Sequence, residues 1–195
     1  MLKTLPTHGG LIATSVTGTL IAPLKLAFFL ALFITMPWLL WQIWLFIAPG
    51  LHTHEKIRIW PLLLASSLLF YIGIGFCYFI VLPLMFKFFI GITPNYITMT
   101  PDIDTYLSFC LKLFLAFGIC FEMPIITLIF ITTNILSLKS IQQKRPYVLV
   151  IAFTVGMLLT PPDVLSQILL AVPLYLLFEL GILLAKVHIH FHFRK

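Results

Sequence analysis

Five apolar stretches fill most of this chain, each separated from the next by a polar or proline-rich turn. They run from about 26 to 48, 60 to 85, 106 to 133, 147 to 159 and 164 to 185. Spanning a bilayer takes about 20 residues of helix, with a range near 17–25, so four of the five are long enough. Hydrophobic residues make up 61% of the sequence and charged residues 9%, against roughly 45–50% and about 25% in soluble domains. No water-soluble core of this size hides that much apolar surface. The fold class is therefore all-α: a polytopic membrane helical bundle of about five transmembrane helices, in a single domain over 1–195.

The fourth stretch is the short one. Lys144-Arg145-Pro146 precedes it and Pro161-Pro162-Asp163 follows it. A double proline ends a helix and a charge beside lipid is costly, so that turn belongs at a membrane surface or inside protein. The stretch reads as a short span that thins the bilayer or sits partly below its surface. Met157, Thr160 and Gln167 flank the turn. Thr and Gln within reach of lipid seek hydrogen bonds, either between the fourth and fifth spans or with a partner helix.

Charge in the loops sets an orientation. Lys56 and Arg58 follow the first span, Lys139, Lys144 and Arg145 the third, and Lys186, Arg194 and Lys195 the fifth. The positive-inside rule places these regions in the cytoplasm. The other loops, with Asp102 and Asp104 against Lys87, and with Asp163, face out. The N-terminus is thus expected outside and the C-terminus inside. The net charge of +6 reflects this loop bias, and no nucleic acid is implied. Residues 1–25, punctuated by Pro6, Gly9-Gly10 and Pro23, read as an outer cap or loop with a short helix near Ala13–Thr19. Pro37, Pro124 and Pro173 lie inside spans. They suggest kinked helices in a bowed, concave bundle, or are ordinary membrane-helix prolines.

Few residues can carry chemistry. Glu122 lies within the third span, and a carboxylate there costs about 2.5–3.5 kcal/mol or more, so it must face protein or a water-filled concavity. It is either a polar contact in a groove, a proton relay, or a carboxyl satisfied by a neighbouring helix. Glu179 makes a weaker case of the same kind, and snorkelling explains Lys112. In the first cytoplasmic loop Pro49-Gly50 breaks the helix, leaving Phe46 and Leu51 at the interface and His54-Glu55 exposed. A carboxylate there can pair bidentately with a partner's arginine, or be solvated beside Lys56. The second His of H-E-x-x-H is missing after His54-Glu55, and no nucleophile elbow or phosphate-binding glycine loop occurs. Cys77, Cys110 and Cys120 lack metal-ligand spacing and read as small buried hydrophobes. His188, His190 and His192 alternate in a way that could bind a transition metal, though a terminal tail of this kind is more often a polar basic end. No enzyme activity, cofactor or metal is expected.

In sequence order, several of these stretches resemble the TatC family, the core subunit of the twin-arginine protein translocase. The resemblance runs from about Ile12 to Leu184. It is densest at Trp44–Lys56, Ser67–Gly73, Phe117–Pro124, Lys144–Val150 and Leu159–Gln167. It implies a glove-like helical fold with short fifth and sixth family helices. It also implies binding of twin-arginine signal peptides of folded cargo at Phe46, Leu51, His54 and Glu55, with Glu122 in the groove interior. Met157, Thr160 and Gln167 would dock the single-span TatA and TatB subunits, and Asp163 would be the outer-turn aspartate. Other TatC copies and membrane lipid are further implied partners. The implied setting is a bacterial cytoplasmic (inner) membrane, with export driven by the proton-motive force. The family has six spans and both termini in the cytoplasm. This sequence shows no counterpart of the first span or of the Glu and Arg that precede it, and Ser15 and Ile57 also depart from the pattern. The rival readings are a small proton-coupled secondary transporter, in which inverted repeats are expected and not seen, and a truncated, non-functional remnant.

Overall fold

The computed structural model describes residues 16–47, 59–92, 102–133, 135–159 and 164–192. Among them the chain is helical apart from short turns. The helices are α1 (Val16–Ile47), α2 (Ile59–Phe76), α3 (Leu82–Ile92), α4 (Ile103–Cys120), α5 (Met123–Thr132), α6 (Leu138–Gln143), α7 (Arg145–Leu159) and α8 (Val164–His192), with a π-helical turn, Cys77–Val81, joining α2 to α3. Among the described residues four stretches are long and apolar enough to cross a membrane: Thr17–Phe46, Trp60–Gly91, Ile103–Thr132 and Gln167–Val187. With 15 residues, α7 extends about 22 Å, short of the ~30 Å hydrocarbon core.

The prolines act differently from one span to the next. Pro124 stands second in α5. Its ring clashes with a helical carbonyl four residues back, at Cys120, and α4 ends there. Phe121 and Glu122 make the turn, with the Glu122 N–H donating to the Ile119 carbonyl at 3.0 Å. The third apolar stretch is therefore an elbow of two helices. Pro23 and Pro37, by contrast, lie inside an unbroken α1. Pro37 deprives the Phe33 carbonyl of its helical donor, and the Tyr71 hydroxyl of α2 donates to that carbonyl at 3.0 Å. A neighbouring helix thus re-satisfies the backbone group, as a membrane interior requires.

The start of α1 differs from expectation. Residues 16–25, expected as part of an outer cap or loop with a short helix near Ala13–Thr19, form the first turns of one continuous helix. Pro23 is tolerated within it, and Lys25 is held by α4: its Nζ donates to Asp104 Oδ1 at 2.8 Å, Oδ2 at 2.9 Å and Ser108 Oγ at 3.0 Å. Asp102 caps α4 by accepting from the Thr105 N–H at 3.2 Å.

The core has three parts. The largest is built from the π turn and α3, α4, α7 and α8, around Cys77, Leu82, Met85, Leu113, Phe117 and Leu170. A second joins Leu40 and Trp44 of α1 to Leu63 and Phe70 of α2 and to Ile125 and Ile129 of α5. The third packs Ile131 and Ile141 against Phe178, Ile182 and Ala185 of α8. Most of α1 outside these contacts is exposed and apolar, the composition of a helix surface solvated by lipid.

Candidate functional site

The α4–α5 elbow carries the most unusual side chain in the bundle. Glu122 is 7% exposed. The hydroxyl of Ser66, on α2, donates to its Oε2. Among the described residues its Oε1 has no hydrogen-bond partner. A buried carboxyl oxygen left in this state is costly, because the protein interior offers no water to replace the missing bond.

Close packing fixes the elbow from two sides. On α2, Ser66, Phe70 and Gly73 recur at helical spacing, a row continued by Cys77 of the π turn, and all are buried. A Cβ on Gly73 would stand 2.7 Å from the Phe117 carbonyl oxygen, and one on Gly118 would stand 2.5 Å from Phe70 Cε2. Only glycine allows α2 and α4 to approach this closely. On the other side α8 crosses the start of α5 at Gly181, where a Cβ would lie 2.9 Å from Pro124 Cα. Glu122 is thus held by α2 through Ser66, one residue before the point where Met123-Pro124 meets α8, and its sequence neighbours Ile119 and Met123 are exposed.

The other predicted residues fall into two groups. Phe46, at the end of α1, is 85% exposed. Leu51, His54 and Glu55 lie outside the described residues. The helices that flank their loop are tied by an edge-to-face contact of Trp41 with Trp60, ring centroids 5.3 Å apart. At the opposite end of the bundle Met157 is exposed and Gln167 half-buried. A Cβ on Gly156 would lie 3.3 Å from the Gln167 carbonyl oxygen, so α7 and α8 meet closely beside these two side chains. Thr160 and Asp163 lie outside the described residues.

Glu179 proves to be an ion-pair residue. Arg145 Nη2 donates to its Oε2 at 2.8 Å, Arg145 Nε stands 2.8 Å from its Oε1, and the Tyr175 hydroxyl donates to Oε1 at 3.1 Å. In the sequence Arg145 stands out as a loop charge, before Pro146 at the edge of the fourth stretch and within the Lys144–Val150 resemblance, without a sign of its partner, and Ser66 does not stand out. A signal for Ser66 existed: it is a polar residue on the α2 face that also carries Phe70 and Gly73. Among the described residues no group of three or more His, Cys, Asp or Glu is arranged to hold a metal.

Comparison with known proteins places this arrangement. The family described as Sec-independent protein translocase protein (TatC) matches residues 1–173. The Sec-independent protein translocase protein TatC of Haemophilus influenzae is 51% identical over 184 residues, covering 94% of this chain and 72% of the relative. That of Escherichia coli K12 is 47% identical over 189 residues, covering 97% of this chain and 73% of the relative. A crystal structure described as the twin arginine translocase receptor TatC superimposes with a TM-score of 0.86 at 42% identity, covering 95% of this chain and 82% of that one. Fold, sequence and helix order agree over nearly the whole chain, which belongs to the TatC family of Sec-independent protein translocase proteins.

Proposed function

We propose that this chain, a multi-pass membrane subunit of the twin-arginine translocation system, receives the signal peptides of folded cargo and nucleates their export. It is a transport protein. The observation that carries the reading is Glu122, a carboxyl held at a helix elbow with one buried oxygen that has no partner among the described residues, in a fold shared with a twin arginine translocase receptor. An exposed apolar end of α1 at Phe46 suits a docking peptide. Glu55 supplies the carboxylate that pairs with an arginine of that peptide, flanked by Leu51 and His54. The apolar part of the peptide then lies along the groove that Glu122 lines. At the far end Met157, Thr160 and Gln167 form the edge for the single-span TatA and TatB helices, with Asp163 in the outer turn, and further copies of TatC complete the assembly. The chain works in a bacterial cytoplasmic membrane with its C-terminus inside, and the proton-motive force drives passage.

The test is export of a folded twin-arginine reporter by a TatC-deficient bacterium. The chain is expressed alone and joined to the N-terminal segment of the Escherichia coli relative. Export in either form, lost on Glu55→Ala with membrane insertion intact, is the expected result. Proton-coupled uptake of a small solute that needs Glu122 and is indifferent to Glu55 would transfer the assignment to a transporter.

A further inference from the structure

The Ser66 hydroxyl occupies Oε2 of Glu122 and leaves Oε1 without a partner among the described residues. We propose that Ser66 is a positioning residue: it fixes the Glu122 carboxyl so that Oε1 stands as the acceptor for an N–H or O–H donor of a polypeptide segment bound in the groove. The reading of the groove as the signal-peptide path is presupposed here.

Three observations carry it. First, Ser66 is 1% exposed and Glu122 7% exposed, so neither group exchanges its bond for water. Buried polar pairs of this kind hold a single geometry because every alternative forfeits a hydrogen bond. Second, the two elements that present the pair cannot slide. Gly73 sets the α2 backbone against the Phe117 carbonyl, and Gly118 receives the Phe70 ring. The hydroxyl therefore reaches the carboxyl from a fixed direction. Third, residues three before and one after Glu122 in sequence are exposed on the surface of the elbow. Met123 is 37% exposed and Ile119 50% exposed. Oε1 is itself buried, so a ligand resting on Ile119 and Met123 reaches it only by displacing one of these side chains. A peptide donor would then supply the bond the protein lacks, which makes the site selective for a segment with an unsatisfied donor at that point. The first turn of a helix carries several such N–H groups.

The experiment uses the full chain. In the purified protein the infrared band of the Glu122 carboxyl is identified as the one lost in Glu122→Gln. In membranes, a photoreactive amino acid at Met123 or at Phe46 reports signal-peptide contact with the groove and with the first loop. Ser66→Ala is expected to shift the carboxyl band. It should lower crosslinking from Met123 about tenfold, the scale of one buried hydrogen bond, while crosslinking from Phe46 holds. Ser66→Thr, which keeps the hydroxyl, restores both. If Ser66→Ala fails to accumulate, Ser66→Cys, a weaker donor, replaces it with a smaller shift and a smaller drop in the same directions. An unmoved band, or undiminished crosslinking from Met123, overturns the proposal. Crosslinking from Phe46 but not from Met123 in the unaltered chain overturns the acceptor role of Oε1. No crosslinking from either position removes the signal-peptide reading itself, and the band alone then decides whether Ser66 positions Glu122.

Discussion

Ser66 and Glu122 are buried together, and removing one penalises the other. Glu122→Ala leaves the Ser66 hydroxyl without its acceptor. Stranding a buried donor costs about 1–3 kcal/mol, and the low end applies, because a mid-helix serine can turn to the carbonyl four residues back, at Leu62. Glu122→Gln keeps an acceptor oxygen within reach of Ser66. Thermal unfolding of the purified protein in detergent should therefore place Glu122→Gln near the unaltered chain and Glu122→Ala below it. Equal losses would mean that the hydrogen bond contributes nothing. At this scale the sequence was half legible. A carboxylate in an apolar run is costly enough to stand out. A serine in the same setting is not, since serine is common in membrane helices and shows its role only when its neighbour is known. Glu179 was legible for the same reason as Glu122. Its partner Arg145 is 34 positions away, and nothing in a single sequence links them.

Helices α2 and α4 approach as closely as they do because Gly73 and Gly118 lack a Cβ, whereas Gly75, on the same helix, faces open space. Gly73→Ala and Gly118→Ala should each destabilise by about 1–3 kcal/mol, the usual cost of overpacking. Gly75→Ala should be neutral or slightly stabilising, since alanine is the better helix former. Reconstituted protein unfolded by a denaturing detergent can order the three, and a loss at Gly75 equal to that at Gly73 would refute the packing account. The proline within α1 makes a second prediction. Tyr71→Phe frees the Phe33 carbonyl inside the membrane at a cost of about 1 kcal/mol. In a Pro37→Ala background the alanine N–H takes over that carbonyl, and the cost should vanish. Additive effects in this double-mutant cycle would show that Tyr71 does not serve Pro37. Element lengths were legible from apolar runs and proline positions. The unbroken α1 was not, because at Pro37 the freed carbonyl of Phe33 is met by a hydroxyl 38 positions away, which a single sequence does not link to it.

Two ion pairs lie toward opposite ends of the bundle. Lys25 and Asp104 join the starts of α1 and α4, and Arg145 and Glu179 join α7 to the middle of α8. With the orientation proposed above, Thr105→Cys should be labelled from outside intact cells by an impermeant thiol reagent. Lys144→Cys should be labelled only after the cells are opened, and the reverse pattern would invert the topology. Both positions are exposed. The helical membrane bundle followed from hydropathy, since apolar length admits few alternatives. How the helices associate did not, because it rests on glycine contacts and polar bridges between segments far apart in sequence. One of those bridges bears on inheritance. Pro37 creates a need that Tyr71 meets, so losing the hydroxyl while the proline stays is not neutral. A lineage that loses the hydroxyl first carries a defect until the proline goes, whereas losing the proline first frees the tyrosine to drift. Across descendants of a common ancestor the two positions should therefore change in a preferred order, proline before tyrosine, and reconstructed ancestral sequences would carry the record of that order.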